Sequence, residues 1–115
     1  MIEQQIVQLN EIPAVGCPCG QARRAFGNDV NSPASIHFVL IQKDSKTHYH
    51  KYRTEFYVVL EGEGTIELDG VLVSVKPLTA VHIPPNCRHR AIGKLTILNF
   101  VIPPFDSADE WFDED

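Results

Sequence analysis

Two histidines and a glutamate in the segment Thr47–Gly62 are the residues of this sequence best suited to chemistry. His48 and His50 are two positions apart, and Glu55 follows five residues later. Side chains of an extended strand alternate between faces, so both imidazoles point the same way and can share one ion. A further histidine, His89, follows a Pro-Pro pair downstream. Three imidazoles and a carboxylate suit a first-row transition metal, namely iron, zinc, manganese, nickel or copper.

The spacing of these residues resembles the motifs of the cupin family. The pattern H-x-H-x4-E-x6-G, which ends at Gly62, fits the first cupin motif at every defining position. The segment from Pro84 to His89 is similar to the second motif, although Leu78 stands where that motif usually opens with a glycine. Asn86 replaces another common glycine, which is a mild change because asparagine tolerates left-handed backbone. The resemblance covers roughly the middle half of the chain.

This resemblance implies an all-β fold, a single double-stranded β-helix or jelly-roll barrel with an irregular N-terminal arm and a short C-terminal helix or tail. It also implies one divalent transition metal ion, bound by His48, His50, Glu55 and His89. Cupins include dioxygenases, decarboxylases, isomerases and epimerases of small molecules, and also metal-free or sugar-binding modules. We therefore expect a metal-dependent enzyme of oxygenase or isomerase type that acts on a small oxygenated molecule. The alternative is a non-catalytic small-ligand binding or sensor module.

Length and composition predict one compact domain over residues 1–115. We expect an N-terminal arm and loop over 1–34, the β-barrel over 35–104 and an acidic tail over 105–115. No run approaches the ~20 apolar residues that span a bilayer. The N-terminus lacks the basic region and apolar core of a secretory signal, so a cytoplasmic location is expected.

Charge and cysteine content exclude several classes of protein. Six of the fifteen acidic residues lie in the last ten positions, and the remainder nearly balance the ten Lys and Arg residues. The sequence has no basic stripe of the kind that binds nucleic acid, so no nucleic-acid partner is expected. Three cysteines do not form a disulfide framework. Cys17 and Cys19 are expected to be reduced thiols in a loop, with metal binding or redox chemistry as alternatives. Cys87 is expected to be a small buried residue, with a place in the pocket wall as the alternative.

Turn signals every few residues divide the chain into eight or nine short strands, which favours a barrel or sandwich. The firmest strand, Ser35–Gln42, is apolar at nearly every position, which indicates burial on both faces or against a partner in a homodimer. We further predict an edge strand at Ile2–Leu9, irregular chain over Asn10–Ser35 and a short helical turn at Gln21–Phe26. The other strands are predicted to begin at Thr47 and to follow at Thr65–Leu68, Val71–Val75, Ala80–Ile83, His89–Ala91 and Leu95–Ile102. Ser107 and Glu110 resemble a helix capping box.

Strand alternation also selects residues for a substrate pocket. Tyr57 and Val59 share a face with Glu55, so both are predicted to line the pocket, with core packing of Tyr57 as the alternative. His37 is expected to be a hydrogen-bonded core or interface histidine, with a pocket acid or base as the alternative. By the same alternation the nearby cations Lys51, Arg88 and Arg90 face away from the metal ligands. We assign no catalytic residue at this stage.

Overall fold

A computed structural model describes residues 4–17, 19–27 and 31–113, which consist mainly of β-strands and turns. Two short 3-10 turns, Leu9–Glu11 and Ser107–Asp109, flank the strands. Within these residues no helix has the length and apolar character needed to cross a membrane. The strands are β1 Val15–Cys17, β2 Gly20–Ala25, β3 Ser35–Ile41, β4 Thr54–Glu61, β5 Gly64–Leu68, β6 Val71–Val75, β7 Ala80–Ile83, β8 His89–Ile92 and β9 Leu95–Ile102.

The strands form two antiparallel sheets, and the fold is an all-β jelly-roll barrel, as predicted. The six-stranded sheet has the order β1-β2-β3-β9-β4-β7, and the three-stranded sheet has the order β6-β5-β8. Both sheets supply the core: Val39, Val59 and Ile97 come from the larger one, and Ile66 and Ala91 from the smaller one. Alternation along each strand therefore places one face of each sheet inside the barrel.

Strand β3 shows how alternation works in this barrel. Its burial alternates regularly, with Ser35, His37, Val39 and Ile41 buried. The intervening apolar residues are only partly buried within the chain. Burial of this strand on both faces by its own chain is therefore not observed. Its outward-facing side chains leave an apolar surface on the larger sheet.

The N-terminal region differs from its prediction in three respects. Ile6 is 98% exposed, and residues 4–8 form no strand; the first two residues of the predicted edge strand lie outside the described residues. The segment predicted to be irregular contains β1 and β2, and the predicted helical turn at Gln21–Phe26 is wrong. β2 is held extended because all of its residues pair with β3, from Gly20 opposite Ile41 to Ala25 opposite Ile36. Tertiary pairing here overrides a weak local preference.

Two turns agree with the residue types at their tips, and a third does not. Asp69 and Gly70 join β5 to β6 with φ angles of 46° and 84°, as expected for an Asp-Gly hairpin. Asn86 adopts a φ of 71°, which confirms that its side chain tolerates the left-handed backbone there. Leu78 has a φ of 72° and is 82% exposed, so a bulky residue occupies a conformation that favours glycine.

The C-terminal segment packs against the barrel. Tyr49 and Trp111 exchange backbone hydrogen bonds of 2.9 Å in both directions, which hold this segment on the barrel. Asp106, rather than Ser107, caps the 3-10 turn by accepting a hydrogen bond from the Ala108 N–H, so the predicted capping box is wrong. Asp109 is only 4% exposed, and the acidic end is therefore not a wholly solvated tail.

Candidate metal centre

The three histidines meet because the loop before β4 lies along the start of β8. His48 and His89 exchange backbone hydrogen bonds of 3.0 and 2.9 Å, and the Asn86 N–H donates to the His50 carbonyl at 2.7 Å. Only two isolated bridges form at His48 and Tyr49, so the strand predicted to begin at Thr47 begins instead at Thr54, although both histidines do project to one side. One ligand nitrogen from each of His48, His50 and His89 lies within 4.8 Å of the others.

Each imidazole is oriented by a backbone carbonyl. The Nδ1 atoms of His48, His50 and His89 lie 3.0, 2.8 and 2.8 Å from the carbonyl oxygens of Lys46, Asp109 and Cys87. A carbonyl oxygen can only accept, so Nδ1 must carry the proton in each hydrogen bond. The neutral imidazole then has a bare lone pair on Nε2, which is the form that binds a metal ion.

The Glu55 carboxylate lies against two of these imidazoles. Its Oε1 atom is 2.9 Å from Nε2 of His89 and 3.3 Å from Nε2 of His50. Glu55 Oε1 and His89 Nε2 are both buried, and neither has a hydrogen-bond partner among the described residues. A neutral imidazole and a carboxylate present two acceptors here, which do not bond to each other, whereas a cation between them, a proton or a metal ion, would satisfy both. The residues present therefore fit a divalent metal ion.

Burial and the neighbouring charges set the protonation of this cluster. Burial opposes charge on Glu55, but the adjacent His50 and His89 hold the pKa of its carboxyl well below the usual range. Burial also opposes charge on His50, yet the pKa of this imidazole is raised because Glu55 stabilises its protonated form. Burial, followed by the charge of His89, lowers the pKa of His48 to about 4. The cluster thus combines an ionised carboxylate with imidazoles of different basicity.

Asp109 connects the C-terminal segment to the metal centre. Its carbonyl accepts from His50, and its carboxylate accepts from the Lys51 and Tyr52 N–H groups at 2.9 and 3.0 Å. The same carboxylate accepts from the Arg53 guanidinium at 3.2 Å and the Trp111 indole at 2.9 Å. Hydrogen bonds from Trp111 and from the two backbone N–H groups lower the pKa of Asp109, despite burial. One buried residue therefore orients a proposed ligand and fixes the loop that carries it.

A cavity of about 70 Å³ adjoins the cluster, with His48, His50 and Glu55 in its wall. Tyr57 lines this cavity and is 7% exposed, and burial keeps the pKa of its phenol well above the ordinary value. Val59 is fully buried in the hydrophobic core and is not among the residues that line the cavity in the described part of the chain. The two predicted pocket residues therefore occupy different surroundings.

The remaining candidates from the sequence are distributed as follows. His37 lines the cavity, bonds Ser35 through Nε2 at 2.8 Å and has its pKa lowered to about 4, mainly by burial and then by Arg24. Cys87 is 8% exposed and packs in the core, as expected. Lys51 stacks on Trp111, whereas Arg88 and Arg90 pair with Asp113 and Glu67. These three cations face away from the cavity, as predicted.

The two N-terminal cysteines also line the cavity. Their Sγ atoms are 2.7 Å apart, at the end of β1 and just before β2. The hydrogen bond from Cys19 is the main reason that the pKa of Cys17 falls to about 6, while that bond and burial raise the pKa of Cys19. The prediction that Cys17 and Cys19 are reduced thiols in a loop is therefore incomplete, since both side chains belong to the cavity wall.

Sequence reasoning missed three residues of this site. Arg24 and Asn99 line the cavity, and Asn99 donates from Nδ2 to Oε2 of Glu55 at 2.8 Å. The alternation of β9 would have placed Asn99 on the same face as Ile97 and Val101, which is a usable signal for a polar residue in a buried strand. Asp109 gave no local signal, because its role arises from a contact with residues more than fifty positions earlier.

Comparisons with known proteins agree with this geometry. A family model described as the cupin domain matches residues 36–94, slightly more than half of the chain. The chain belongs to the cupin family. A solved structure of a protein from Planctomyces limnophilus is 49% identical and superposes with a TM-score of 0.91, covering 96% of this chain and 97% of that one.

Two curated relatives carry names that state an activity. The chain is 40% identical to quercetin 2,3-dioxygenase of Bacillus subtilis over 42 residues, which cover 36% of this chain and 12% of that protein. It is 34% identical to glucose-6-phosphate isomerase of Pyrococcus furiosus over 76 residues, which cover 58% of this chain and 40% of that protein. The chain spans less than two thirds of the length of the curated relatives that it matches.

Proposed function

We propose that this protein is a metal-dependent cupin enzyme, of oxygenase or isomerase type, that acts on a small oxygenated molecule. One divalent transition metal ion would be bound by His48, His50, Glu55 and His89. The observation that carries the proposal is the buried contact between Glu55 Oε1 and His89 Nε2, two acceptors 2.9 Å apart. The dioxygenase and isomerase relatives support the choice of reaction type.

Four protein ligands leave one or two positions open on a six-coordinate ion, and the ion would supply Lewis-acid polarisation of a bound oxygen. The chain itself contributes the orientation of the ligands through three backbone carbonyls. It also contributes a cavity wall in which Tyr57 and His37 are uncharged at neutral pH, since burial opposes charge on both. Such groups donate or accept a proton without carrying a fixed charge.

The metal-binding part of the proposal is tested by replacing one ligand. His50→Ala removes a ligand whose other nitrogen is anchored on Asp109, and we expect bound metal to fall from about one equivalent to below about 0.1. His82→Ala is the matched control, because His82 is an exposed histidine of β7 that stacks on Phe56. Elemental analysis of the purified proteins measures the outcome. Unchanged metal content in His50→Ala refutes the ligand set.

The enzymatic part requires a separate measurement. Oxygen consumption by the metal-loaded protein should be screened against catechols, flavonoids and keto acids, with aldose–ketose conversion assayed in parallel. Metal-dependent turnover in one screen supports the enzyme. Bound metal together with ligand binding and no turnover favours the alternative, a non-catalytic binding or sensor module. The three unpaired cysteines suit a reducing compartment, so a cytoplasmic location remains part of the proposal.

We also propose a homodimer formed through the outer face of the six-stranded sheet. Strand register places Ile36, Phe100 and Phe56 in one row of this face. Phe38, Leu98 and Val58 form the next row. Three strands at ~4.8 Å spacing and about 20 Å of strand length give an apolar patch of roughly 300 Å². A standard interface buries about 800 Å² per partner, somewhat over half of it apolar, so the patch would supply most of the apolar centre of an interface with a second copy of the chain.

Light scattering coupled to size-exclusion chromatography tests the dimer. Phe100→Lys places a charge at the centre of the patch and should yield a monomer. Val71→Lys is the control, because Val71 lies on β6 of the other sheet and is already 62% exposed. A monomeric wild-type protein, or a dimeric Phe100→Lys variant, contradicts the interface.

A further inference from the structure

Four polar side chains form a continuous row across the inner face of the larger sheet. The register places Arg24 opposite His37, His37 opposite Asn99, and Asn99 opposite Tyr57, on the adjacent strands β2, β3, β9 and β4. All four side chains line the cavity beside the metal centre. The neighbouring inner row, Ala22, Val39, Ile97 and Val59, is entirely apolar. A row of four polar side chains, with this apolar row on one side and the row of Glu55 on the other, points to ligand recognition beside the metal centre.

Arg24 supplies the positive charge of this row. Among the described residues it is the single lysine or arginine in the cavity wall, and no carboxylate of those residues lies within ion-pair distance of it. Its guanidinium lies over the Phe105 ring, 4.4 Å from the centroid, which leaves the N–H donors at its edge available. His37, next in the row, is neutral at pH 7 and does not compete for an anion.

Asn99 and Tyr57 supply one acceptor and one donor. Asn99 is 8% exposed, and its Oδ1 atom is buried without a hydrogen-bond partner among the described residues, while its Nδ2 is occupied by Glu55. The Tyr57 hydroxyl has no hydrogen bond to those residues either, and its raised pKa keeps the proton on the oxygen. A hydroxyl group on a ligand would satisfy both, because it donates to Asn99 and accepts from Tyr57.

Cavity size and charge narrow the ligand further. At roughly 10–15 Å³ for each water-sized probe, about 70 Å³ accommodates a molecule of about five to seven non-hydrogen atoms. Glu55 and Glu110 also line the cavity, so with a divalent ion bound the ion and Arg24 carry three positive charges against two carboxylates, a net charge that one negative charge neutralises. A monoanion fits this balance better than a phosphate dianion.

We propose that the row Arg24–His37–Asn99–Tyr57 binds a small hydroxycarboxylic acid, with its carboxylate on Arg24 and its hydroxyl between Asn99 and Tyr57. This inference rests on the proposed function, since the ligand occupies the cavity of the same metal centre. It assigns the substrate class and makes Arg24 the residue that selects for a carboxylate. The planar guanidinium can form two parallel hydrogen bonds to that group.

Glycolate is the probe for the experiment, because it is the smallest hydroxycarboxylate. Binding to the zinc-loaded protein is measured by calorimetry, with ethylene glycol, acetate and inorganic phosphate as comparison ligands. We expect Arg24→Gln to weaken the binding of glycolate at least about tenfold, since a charged hydrogen-bond pair is lost. Arg23→Gln is the matched control. Arg23 precedes Arg24 in β2, faces the outer side of the sheet and donates a hydrogen bond to the Ile12 carbonyl. It should change glycolate affinity less than about twofold.

Two further measurements distinguish direct contact between glycolate and these side chains from indirect effects of a substitution. Tyr57→Phe removes only the hydroxyl, so the ratio of glycolate to acetate affinity should fall several-fold relative to wild type. Chelation of zinc by glycolate contributes to this ratio in both proteins and cancels when the two ratios are compared. In the wild-type protein, the Arg24 Nε–H resonance should shift on addition of glycolate but not of ethylene glycol. This measurement does not depend on any variant folding.

The outcomes are distinguishable from failure of the proposed function. Stoichiometric zinc with glycolate affinity unchanged in Arg24→Gln overturns the assignment of Arg24 and leaves the metal centre intact. Phosphate that binds more tightly than glycolate overturns the carboxylate class. A protein that binds no zinc overturns the proposed function itself. Weaker glycolate binding in Arg24→Gln, with zinc content and Arg23→Gln unchanged, supports the inference.

Discussion

The two ends of the cavity are built in different ways. At the histidine end, each imidazole is held by a backbone carbonyl, and Asp109 alone makes four hydrogen bonds to the loop that carries His50. At the hairpin end, Cys17 lies on β1, Arg24 on β2 and Cys19 in the turn between them, at the edge of the larger sheet. β1 pairs only with β2 among the described strands.

This difference indicates a division of roles. Metal binding needs ligand atoms held to within a fraction of an ångström, and a network of buried hydrogen bonds provides that precision. Selection among ligands does not need such precise positions, so side chains on a hairpin at the edge of the sheet can provide it. We therefore expect substitutions at the histidine end to alter stability and metal affinity together. Substitutions at the hairpin end should change ligand preference or reactivity and leave the fold intact.

The largest effect should come from Asp109→Ala. The substitution leaves the Lys51 and Tyr52 N–H groups and the Nη1 group of Arg53 without their acceptor, so we expect a loss of about 3 kcal/mol in the free energy of unfolding. Metal affinity should fall about 10- to 100-fold, since the carbonyl that orients His50 is displaced. Chemical denaturation and metal titration measure the two quantities.

Asp106→Ala is the matched control for this prediction. Asp106 caps the same 3-10 turn but accepts only from the Ala108 N–H, so its removal should cost about 0.5–1 kcal/mol and leave metal affinity unchanged. Equal effects of the two substitutions would show that the C-terminal segment acts only through the turn. The contrast between the two ends of the cavity would then lose its main support.

Protonation of His37, which lies within the polar row, should have an intermediate effect on the stability of the fold, and this effect depends on pH. Burial and the charge of Arg24 lower its pKa to about 4 in the folded protein, whereas the unfolded chain titrates near 6.5; nearby Glu55 opposes this shift and His50 adds to it. Between these values the unfolded state binds a proton that the folded state does not. Stability should therefore decrease as the pH falls from 6.5 to 4, by up to about 1.4 kcal/mol per pH unit.

Two measurements check this expectation. The free energy of unfolding of the wild type and of His37→Gln is compared at several pH values, and the decline between pH 6.5 and 4 should be shallower in the variant. The ring protons of His37, followed by NMR, should titrate near 4 in the folded protein. Titration near 6.5 would contradict the assignment of His37 to the dry interior of the row.

Substitution of Cys17 should have the smallest effect on stability, whereas the Cys17 thiol should react faster than that of Cys87. Its thiol loses a proton near pH 6, because Cys19 donates a hydrogen bond to the thiolate. Iodoacetamide should therefore modify Cys17 rapidly at pH 7, whereas Cys87, which is buried and has a raised pKa, reacts slowly. Mass spectrometry identifies the modified residue, and the labelling rate should have a midpoint near pH 6.

Cys17→Ser completes this test. We expect it to change the free energy of unfolding by less than about 0.5 kcal/mol and to leave metal content unchanged. Loss of metal in this variant would show that the thiol pair belongs to the metal centre, and the two ends of the cavity could no longer be treated as separate.

Local patterns predicted most of the barrel. The apolar runs of β3 and β9 and the Asp-Gly turn after β5 are visible in the sequence, and the structure places strands at Leu95–Ile102 and Val71–Val75 as predicted. β2 was missed because Gly20–Ala25 contains no β-branched or aromatic residue. Its extended form depends on pairing with β3, which no local propensity reveals.

The sequence by itself determined the kinds of group at the candidate metal centre and the faces on which they lie. The spacing of His48 and His50 and the alternation after Glu55 are local properties of the backbone, so they can be read without a fold. The tertiary structure decided which distant groups meet them. Asp109 reaches His50, and Arg24 joins the row of Asn99 and Tyr57, only because sheet register and C-terminal packing bring separate segments together.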